Sequence, residues 1–133
     1  MLAPSSGMSD FKKLLVWQKA HALAVHTHRV STGIRRRHLE ALRSQVVRAA
    51  MSIPANIVEG RRQESEKDFA RFLRYALNSA FELEYHLIVA RDIAISDTDS
   101  TALLAEAIEV RKMPYGLLNR IADTPRPLTR QPQ

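Results

Sequence analysis

The stretch 69–94, FARFLRYALNSAFELEYHLIVARDIA, decides the fold. Its apolar residues alternate three and four positions apart without a break, which places them along one side of an α-helix. A seam of this length predicts near-aligned packing against neighbouring helices, as in helical bundles. Ser65, followed three residues later by Asp68, predicts a capped start for this helix. The seam consists of Phe69, Leu73, Ala76, Ala80, Leu83, Leu87, Ala90 and Ala94.

A second helix with the same spacing is predicted over about 39–59. Pro54 falls inside it and removes one backbone donor, so we expect a kink there. Gly60 is expected to end the helix, because glycine is favoured just beyond helix C-termini. The apolar seam of this helix consists of Leu39, Leu42, Val46, Ala49, Ile53 and Ile57.

Two further helices are predicted, over about 11–30 and 101–121. Ser9 or Asp10 is expected to cap the first, and a bend is expected in the last at Pro114 and Gly116. Because the connections are short, we expect an all-α, antiparallel, up-down-up-down four-helix bundle. The apolar faces are Phe11, Leu14, Leu15, Ala22, Val25 and Val30 in the first helix, and Leu103, Ala107, Val110, Leu117 and Ile121 in the last.

The composition fits one domain in a reducing compartment. The chain has 133 residues, 45% of them hydrophobic, and no cysteine, which excludes disulfides and cysteine-bound zinc. No apolar run is long enough to cross a bilayer and no signal peptide is recognisable, so a cytoplasmic protein without membrane contact is expected. We expect a flexible extension over 1–9, the bundle over 10–122 and a disordered proline-rich tail over 123–133.

Three groups of residues carry a resemblance to a known family. Residues 16–20 read VWQKA, and residues 45–60 read QVVRAAMSIPANIVEG. The third group consists of Phe72-Leu73, Ala76-Leu77 and Ser79 with Glu82-Leu83-Glu84. Over 11–120 the chain resembles the four-helix bundle protein family, whose founding members are encoded by intervening sequences in bacterial 23S rRNA genes. One departure is Asn78-Ser79, where the family usually has Gly-Ser, and the larger asparagine disfavours close helix approach there.

The resemblance implies a bundle that assembles into a ring-like homopentamer. It also implies kinship with the accessory protein of diversity-generating retroelements, which contacts a reverse transcriptase and nucleic acid. RNA, DNA or a nucleic-acid-processing protein is therefore a candidate partner. The molecular function of most family members is not established, so the resemblance implies the fold more than an activity.

No catalytic residue, metal site or cofactor is predicted. A di-metal site in a bundle uses Glu-x-x-His on two helices, whereas Glu82 and His86 are four residues apart and no second copy exists. His21 and His28 share a helix face, and we favour exposed side chains over metal ligands for them. Neither Ser52 nor Ser79 lies in a strained turn or beside a glycine-built oxyanion hole. We therefore expect no enzyme.

Two polar stripes run beside the apolar seams of the second and third helices. They include Arg48 on the second helix, and Tyr75 and His86 on the third. One interpretation is two half-exposed faces with local pairs. The other, which the family signature favours, is a hydrogen-bonded network across the two helices that fixes their register. The network residues would be Ser52, Asn56, Glu59, Ser79 and Glu82.

A formal charge of +6 favours acidic partners, above all nucleic acid, although a basic surface also aids solubility. Arg35–Arg37 and Arg61–Arg62 are expected at opposite ends of the bundle. Without a recognition motif, any binding should be non-specific and sensitive to salt. The candidate nucleic-acid-binding residues are Arg35, Arg36, Arg37, Arg61, Arg62, Arg71 and Arg74.

Apolar residues outside the main seams indicate either a wide core stripe or self-association, and the resemblance favours a homo-oligomer. The candidate interface residues are Leu14, Trp17, Phe72 and Phe81. The sequence thus predicts a non-enzymatic oligomeric scaffold that contacts nucleic acid. A purely protein-binding assembly module, with incidental positive charge, is the alternative.

Overall fold

The computed structural model describes residues 10–123, and every regular element in that range is helical. Short 3-10 turns at Phe11–Lys13 and Arg37–Leu39 precede the first and second helices. The all-helical prediction is confirmed. The predicted terminal segments lie outside the described residues, apart from Asp123. The helices are α1, Leu15–Ser31; α2, Glu40–Arg61; α3, Glu66–Ile93; and α4, Asp97–Asp123.

The four helices form a closed bundle around one core. Helix α2 packs against α1 and α3, and α4 packs against α3 and α1. Within the described range α1 and α3 are not neighbours, so they occupy diagonal positions. The apolar side chains of this core are removed from water, which provides the main driving force for the fold. The largest buried aliphatic side chains are Leu23, Ile53, Ile57, Leu73, Leu83, Leu87 and Leu103.

Helix α3 follows its predicted seam. Six of the eight seam residues are buried, and Phe69 is partly buried against the core. The predicted cap is also present, because the Ser65 Oγ accepts a hydrogen bond from the Asp68 N–H at 3.1 Å. The same hydroxyl lies 3.2 Å from Asp68 Oδ2, to which it donates. The seam and the cap together fix where α3 begins and which face it buries.

The predicted apolar face of α1 is wrong in part, although Leu14 and Val30 are partly buried against the core. Leu15 is 58% exposed, whereas α1 buries a stripe that contains small and polar side chains: Val16, Ala20, Leu23, Ala24, Thr27 and Ser31. The Thr27 hydroxyl donates to the Leu23 carbonyl at 2.7 Å, so its burial leaves no polar group unpaired. Hydropathy alone does not mark such residues as core. Asp10 does not supply the predicted cap, since its side chain caps neither the 3-10 turn nor α1; Ser9, the other predicted cap, lies outside the described residues.

Gly60 does not end α2. The helix continues to Arg61, and Gly60 has no positive φ. A Cβ placed on Gly60 would lie 2.9 Å from Phe69 Cδ1 and 3.0 Å from Phe72 Cβ. The glycine therefore permits close approach of α2 and α3.

The two internal prolines do not end their helices. Helix α2 continues through Pro54, and α4 continues through Pro114; the bends expected there stay predictions.

Helix α4 begins four residues earlier than predicted. The Ser96 Oγ accepts from the Asp99 N–H at 3.1 Å and caps the first turn.

Candidate nucleic-acid interface

The positive charge of the chain is concentrated in one part of the bundle. Residues 28–55 contain six arginines, one glutamate and no lysine or aspartate. Their formal charge is +5, against +6 for the whole chain. This range covers the end of α1, the connection to α2 and nearly three quarters of α2. We call its arginines the basic surface: Arg29, Arg35, Arg36, Arg37, Arg43 and Arg48.

The three arginines in the connection are exposed. Arg35 Nε donates a long hydrogen bond of 3.4 Å to the Thr32 carbonyl. Within residues 10–123, no carboxylate lies within ion-pair distance of Arg35, Arg36 or Arg37. Their guanidinium groups are thus available to an external anion.

Arg43 has a different role, because it ties the connection to α2. Its Nη1 donates to the Ile34 carbonyl at 3.2 Å, and its Nη2 lies 4.0 Å from Glu40 Oε1. Ile34 itself is buried. The connection is therefore held both by the packing of Ile34 and by the Arg43 hydrogen bond to its carbonyl. This anchoring holds the neighbouring arginines in place relative to the bundle.

The other predicted arginines lie elsewhere. Helix α2 has 22 residues, so its two ends are about 30 Å apart at 1.5 Å per residue, and Arg61 and Arg62 are at the far end. Arg62 pairs with Glu59 at 3.4 Å, and Arg71 pairs with Asp68 at 3.6 Å. Helix α3 carries four basic and five acidic residues, which give it a formal charge of −1. The seven arginines predicted for nucleic acid therefore do not form one surface.

Three of the five predicted polar residues meet between α2 and α3. The Ser52 and Ser79 hydroxyl oxygens lie 2.7 Å apart, within hydrogen-bond distance. Asn56 Nδ2 donates to the Ser52 carbonyl at 2.8 Å and to the Ser52 Oγ at 3.0 Å. Asn78 is exposed, so the departure from the family pattern does not stand between the helices. This three-residue contact links one turn of α2 to α3.

Glu59 and Glu82 lie outside that contact. Glu59 is exposed and pairs with Arg62 on its own helix. Glu82 is also exposed and lies 3.4 Å from His86 Nε2, again within its helix. Sequence spacing put both carboxylates on the correct stripe, but their longer side chains reach solvent instead of the neighbouring helix.

We predict that Asn56→Ala destabilises the protein and Glu59→Ala does not. The first change removes two hydrogen bonds beside a helix interface, which costs about 1–2 kcal/mol. The second removes one exposed ion pair, whose contribution is below about 0.5 kcal/mol. Urea unfolding of both variants at one protein concentration measures the difference. Equal midpoints would show that the contact has no structural role.

The predicted interface residues differ in how much surface they offer. Leu14 and Trp17 are partly buried against the core, and the Trp17 ring stacks on His21 at 4.8 Å. Phe72 is also half-buried, whereas Phe81 is 50% exposed. The Arg111 guanidinium lies 4.7 Å from the centre of the Phe81 ring.

An exposed aromatic face on α3 was not predicted as a unit. Tyr75, Phe81 and Tyr85 are 42%, 50% and 62% exposed. At about 100° per residue, the three positions fall within roughly one third of the helix circumference. Arg71 reaches over the neighbouring rings, 4.8 Å from the centre of Phe72 and 6.0 Å from that of Tyr75. We call Tyr75, Phe81 and Tyr85 the aromatic face.

Two polar side-chain contacts between helices were also missed. His26 Nδ1 lies 2.8 Å from Glu106 Oε2 and joins α1 to α4. Arg111 Nε donates to Glu84 Oε1 at 3.0 Å and joins α3 to α4. Each of these four residues lies within four positions in the sequence of a residue of a predicted apolar seam. Sequence spacing, however, does not identify a partner on another helix.

The described range offers no group of three or more histidine, aspartate or glutamate side chains placed to hold a metal ion. None of its helices combines the length and the apolar character that a membrane span requires.

Comparison with known proteins matches the chain to a sequence family and to a solved structure. The sequence model described as "23S rRNA-intervening sequence protein" matches residues 12–116. A solved structure from Bacteroides thetaiotaomicron, a protein with unknown function from the S23 ribosomal protein family, is 25% identical with a TM-score of 0.73. The similarity covers 78% of this chain and 98% of that one. No curated protein matches.

Proposed function

Because this chain belongs to the 23S rRNA-intervening sequence protein family, we propose that it is a non-enzymatic, oligomeric helical scaffold that binds nucleic acid non-specifically. The binding site in this proposal is the basic surface. The resemblance gives a ring-like homopentamer as the expected assembly and a nucleic-acid-processing protein as a further expected partner.

The observation that carries the proposal is the segregation of charge. A net positive charge spread evenly over the whole surface would favour solubility but would not form a binding site for phosphates. The formal charge is instead +5 for residues 28–55 and −1 for α3. Arg35, Arg36 and Arg37 have no carboxylate of the described chain at ion-pair distance. Exposed, unneutralised arginines bind phosphates and release the counterions that surround nucleic acid.

Salt dependence tests this proposal directly. We expect the full chain to bind a labelled RNA at low salt and to lose most of its affinity between about 50 and 200 mM salt, because each phosphate contact releases counterions. Different sequences of one length should bind with similar affinity, since nothing in the basic surface reads base edges. Fluorescence anisotropy measures both properties. No binding at low salt would refute the nucleic-acid part of the proposal.

Contacts between α2 and α3 support the antiparallel topology within the scaffold. Gly60 lies against Phe69, near the start of α3, and Ser52 lies against Ser79, farther along it. Positions later in α2 thus meet positions earlier in α3. This order supports the up-down-up-down arrangement expected from the short connections.

The aromatic face supports self-association. Tyrosine, phenylalanine and arginine are enriched at the centres of protein interfaces. Two ion pairs lie beside this face, Arg71 with Asp68 and Arg111 with Glu84. A surface that is rich in aromatic rings and nearly neutral suits a protein partner better than a phosphate backbone.

We predict that Phe81→Glu with Tyr85→Glu lowers the oligomeric state. A buried carboxylate without a partner in an interface costs several kcal/mol, enough to dissociate subunits at micromolar concentration. Tyr115→Glu is the matched control, because Tyr115 is 58% exposed on α4. Sedimentation velocity measures the change. An unaltered chain that is monomeric, or a double variant that assembles normally, would contradict this interface.

A purely protein-binding module is the second candidate function, and the neutral aromatic face favours it. In that case assembly would persist while RNA binding at low salt would be absent.

A catalytic role finds little support. His26 and Glu106 form a histidine–carboxylate pair, but in the described part of the chain no serine or threonine hydroxyl donates to this pair.

A further inference from the structure

An open groove in two parts lies on the surface between α1 and α2. The wider part has a volume of about 1180 Å³ and the narrower part about 530 Å³. The two parts adjoin at His28 and Met51, which line both. The groove extends from His21 on α1 to Glu40 on α2.

The floor of this groove is largely apolar. Val47, Met51 and Ala55 line it from α2, and Val25 and Pro54 line the adjoining part. Met51 is 56% exposed, although methionine is usually a buried residue. Its flexible thioether adapts to flat rings and makes favourable contacts with them. The floor therefore suits planar apolar groups.

His21 lies at one end of the groove and stacks on Trp17, which is partly buried against the core. The Trp17 and His21 rings are 4.8 Å apart and inclined by only 8°. His21 is exposed and lines the groove. A further ring that enters there can extend the stack, as bases do on aromatic side chains of single-strand-binding proteins.

The rim of the groove is positively charged. Arg43 and Arg48 line the wider part, and Arg29 lines the narrower part. The connection with Arg35, Arg36 and Arg37 joins the two helices that form the walls. Glu40 is the one carboxylate among the described lining residues. The groove thus combines an apolar floor with a rim that complements phosphate.

We propose that this groove binds single-stranded nucleic acid, with unpaired bases on the floor and phosphates at the arginine rim. This inference rests on the proposed function and adds the substrate class to it. A duplex keeps its bases stacked inside, so it can use the rim alone. A single strand can use the rim and the floor, and it should therefore bind more tightly than a duplex of equal length.

The test compares a single strand and a duplex with two variants of the full chain. His21→Ala with Met51→Ala removes the ring and thioether but no arginine. We expect it to weaken single-strand binding by about tenfold, the scale of lost base stacking, and to leave duplex binding unchanged. Leu15→Ala is the matched control, because Leu15 is 58% exposed on α1 and does not line this groove. Anisotropy at one salt concentration measures all affinities.

The outcomes separate this inference from the proposed function. Equal binding of single strand and duplex, with the same salt dependence, would overturn the groove assignment and leave nucleic-acid binding by the basic surface intact. Absence of binding to either would overturn both. A double variant that loses its oligomeric state and weakens both ligands equally would show that another copy occupies the groove, which also overturns the inference.

Discussion

We expect replacement of Arg35, Arg36 and Arg37 by alanine to lower the affinity for single-stranded RNA by roughly 100-fold at about 0.1 M salt, with one phosphate contact for each arginine. The logarithm of the binding constant falls with the logarithm of salt concentration by about 0.7 for each phosphate contact to a single strand. Loss of three contacts reduces this slope by about 2, and the binding curves converge near 1 M salt. Salt titration by fluorescence anisotropy measures the slope and the affinity together.

The three arginines are suited to this test because the fold does not depend on them. All three are exposed, and within residues 10–123 their one side-chain hydrogen bond or ion pair is the long Arg35 bond to the Thr32 carbonyl. Exposed substitutions of this kind change stability by less than about 0.5 kcal/mol. A loss of RNA binding would therefore report on the site and not on unfolding, and thermal unfolding of the variant verifies this.

A matched control removes the same charge from another part of the chain. Arg62, Lys67 and Arg120 are also exposed, and their replacement by alanine lowers the net charge by the same three units. We expect this control to change the affinity by less than a few-fold, because these residues lie on or near acidic helices, away from the basic surface. Equal losses in the two triple variants would contradict a local site and indicate binding by net charge alone.

How far the sequence predicts this structure depends on the kind of contact. The seam of α3 was predictable because each member is apolar and the spacing is regular. The buried stripe of α1 was not, since Thr27 and Ser31 are core residues whose hydroxyls donate to carbonyls of their own helix. Hydropathy measures how a side chain interacts with water and takes no account of a bond that the helix itself supplies.

The candidate nucleic-acid interface was likewise predictable only in part. The arginine run was visible in the sequence, and it forms part of the most positively charged surface of the described bundle. The groove beside it was not visible, because it depends on how α1 lies against α2. Exposure of Met51 likewise follows from packing and not from residue type. Local patterns predict which residues carry charge, whereas side-chain surroundings require the positions of two helices.

Gly60 gives the most direct test of helix packing. A methyl group on Gly60 would lie 2.9 Å from Phe69 Cδ1 and 3.0 Å from Phe72 Cβ. The Phe69 ring can rotate away, but the Phe72 Cβ is fixed to the backbone of α3, so the two helices must separate. We expect Gly60→Ala to destabilise the protein by about 1–3 kcal/mol, the usual cost of overpacking, although alanine is the better helix former.

Gly116→Ala should have the opposite sign, which makes it the matched control. Gly116 lies within α4, and a Cβ there would meet no atom within 4 Å. The substitution then acts through helix propensity alone and stabilises by about 0.5–1 kcal/mol. Urea unfolding at one protein concentration compares the two variants, because assembly makes apparent stability depend on concentration. If both substitutions stabilise, α2 and α3 do not approach each other closely at Gly60. If only Gly60→Ala destabilises, that glycine of the family motif is required for packing and not for ending a helix.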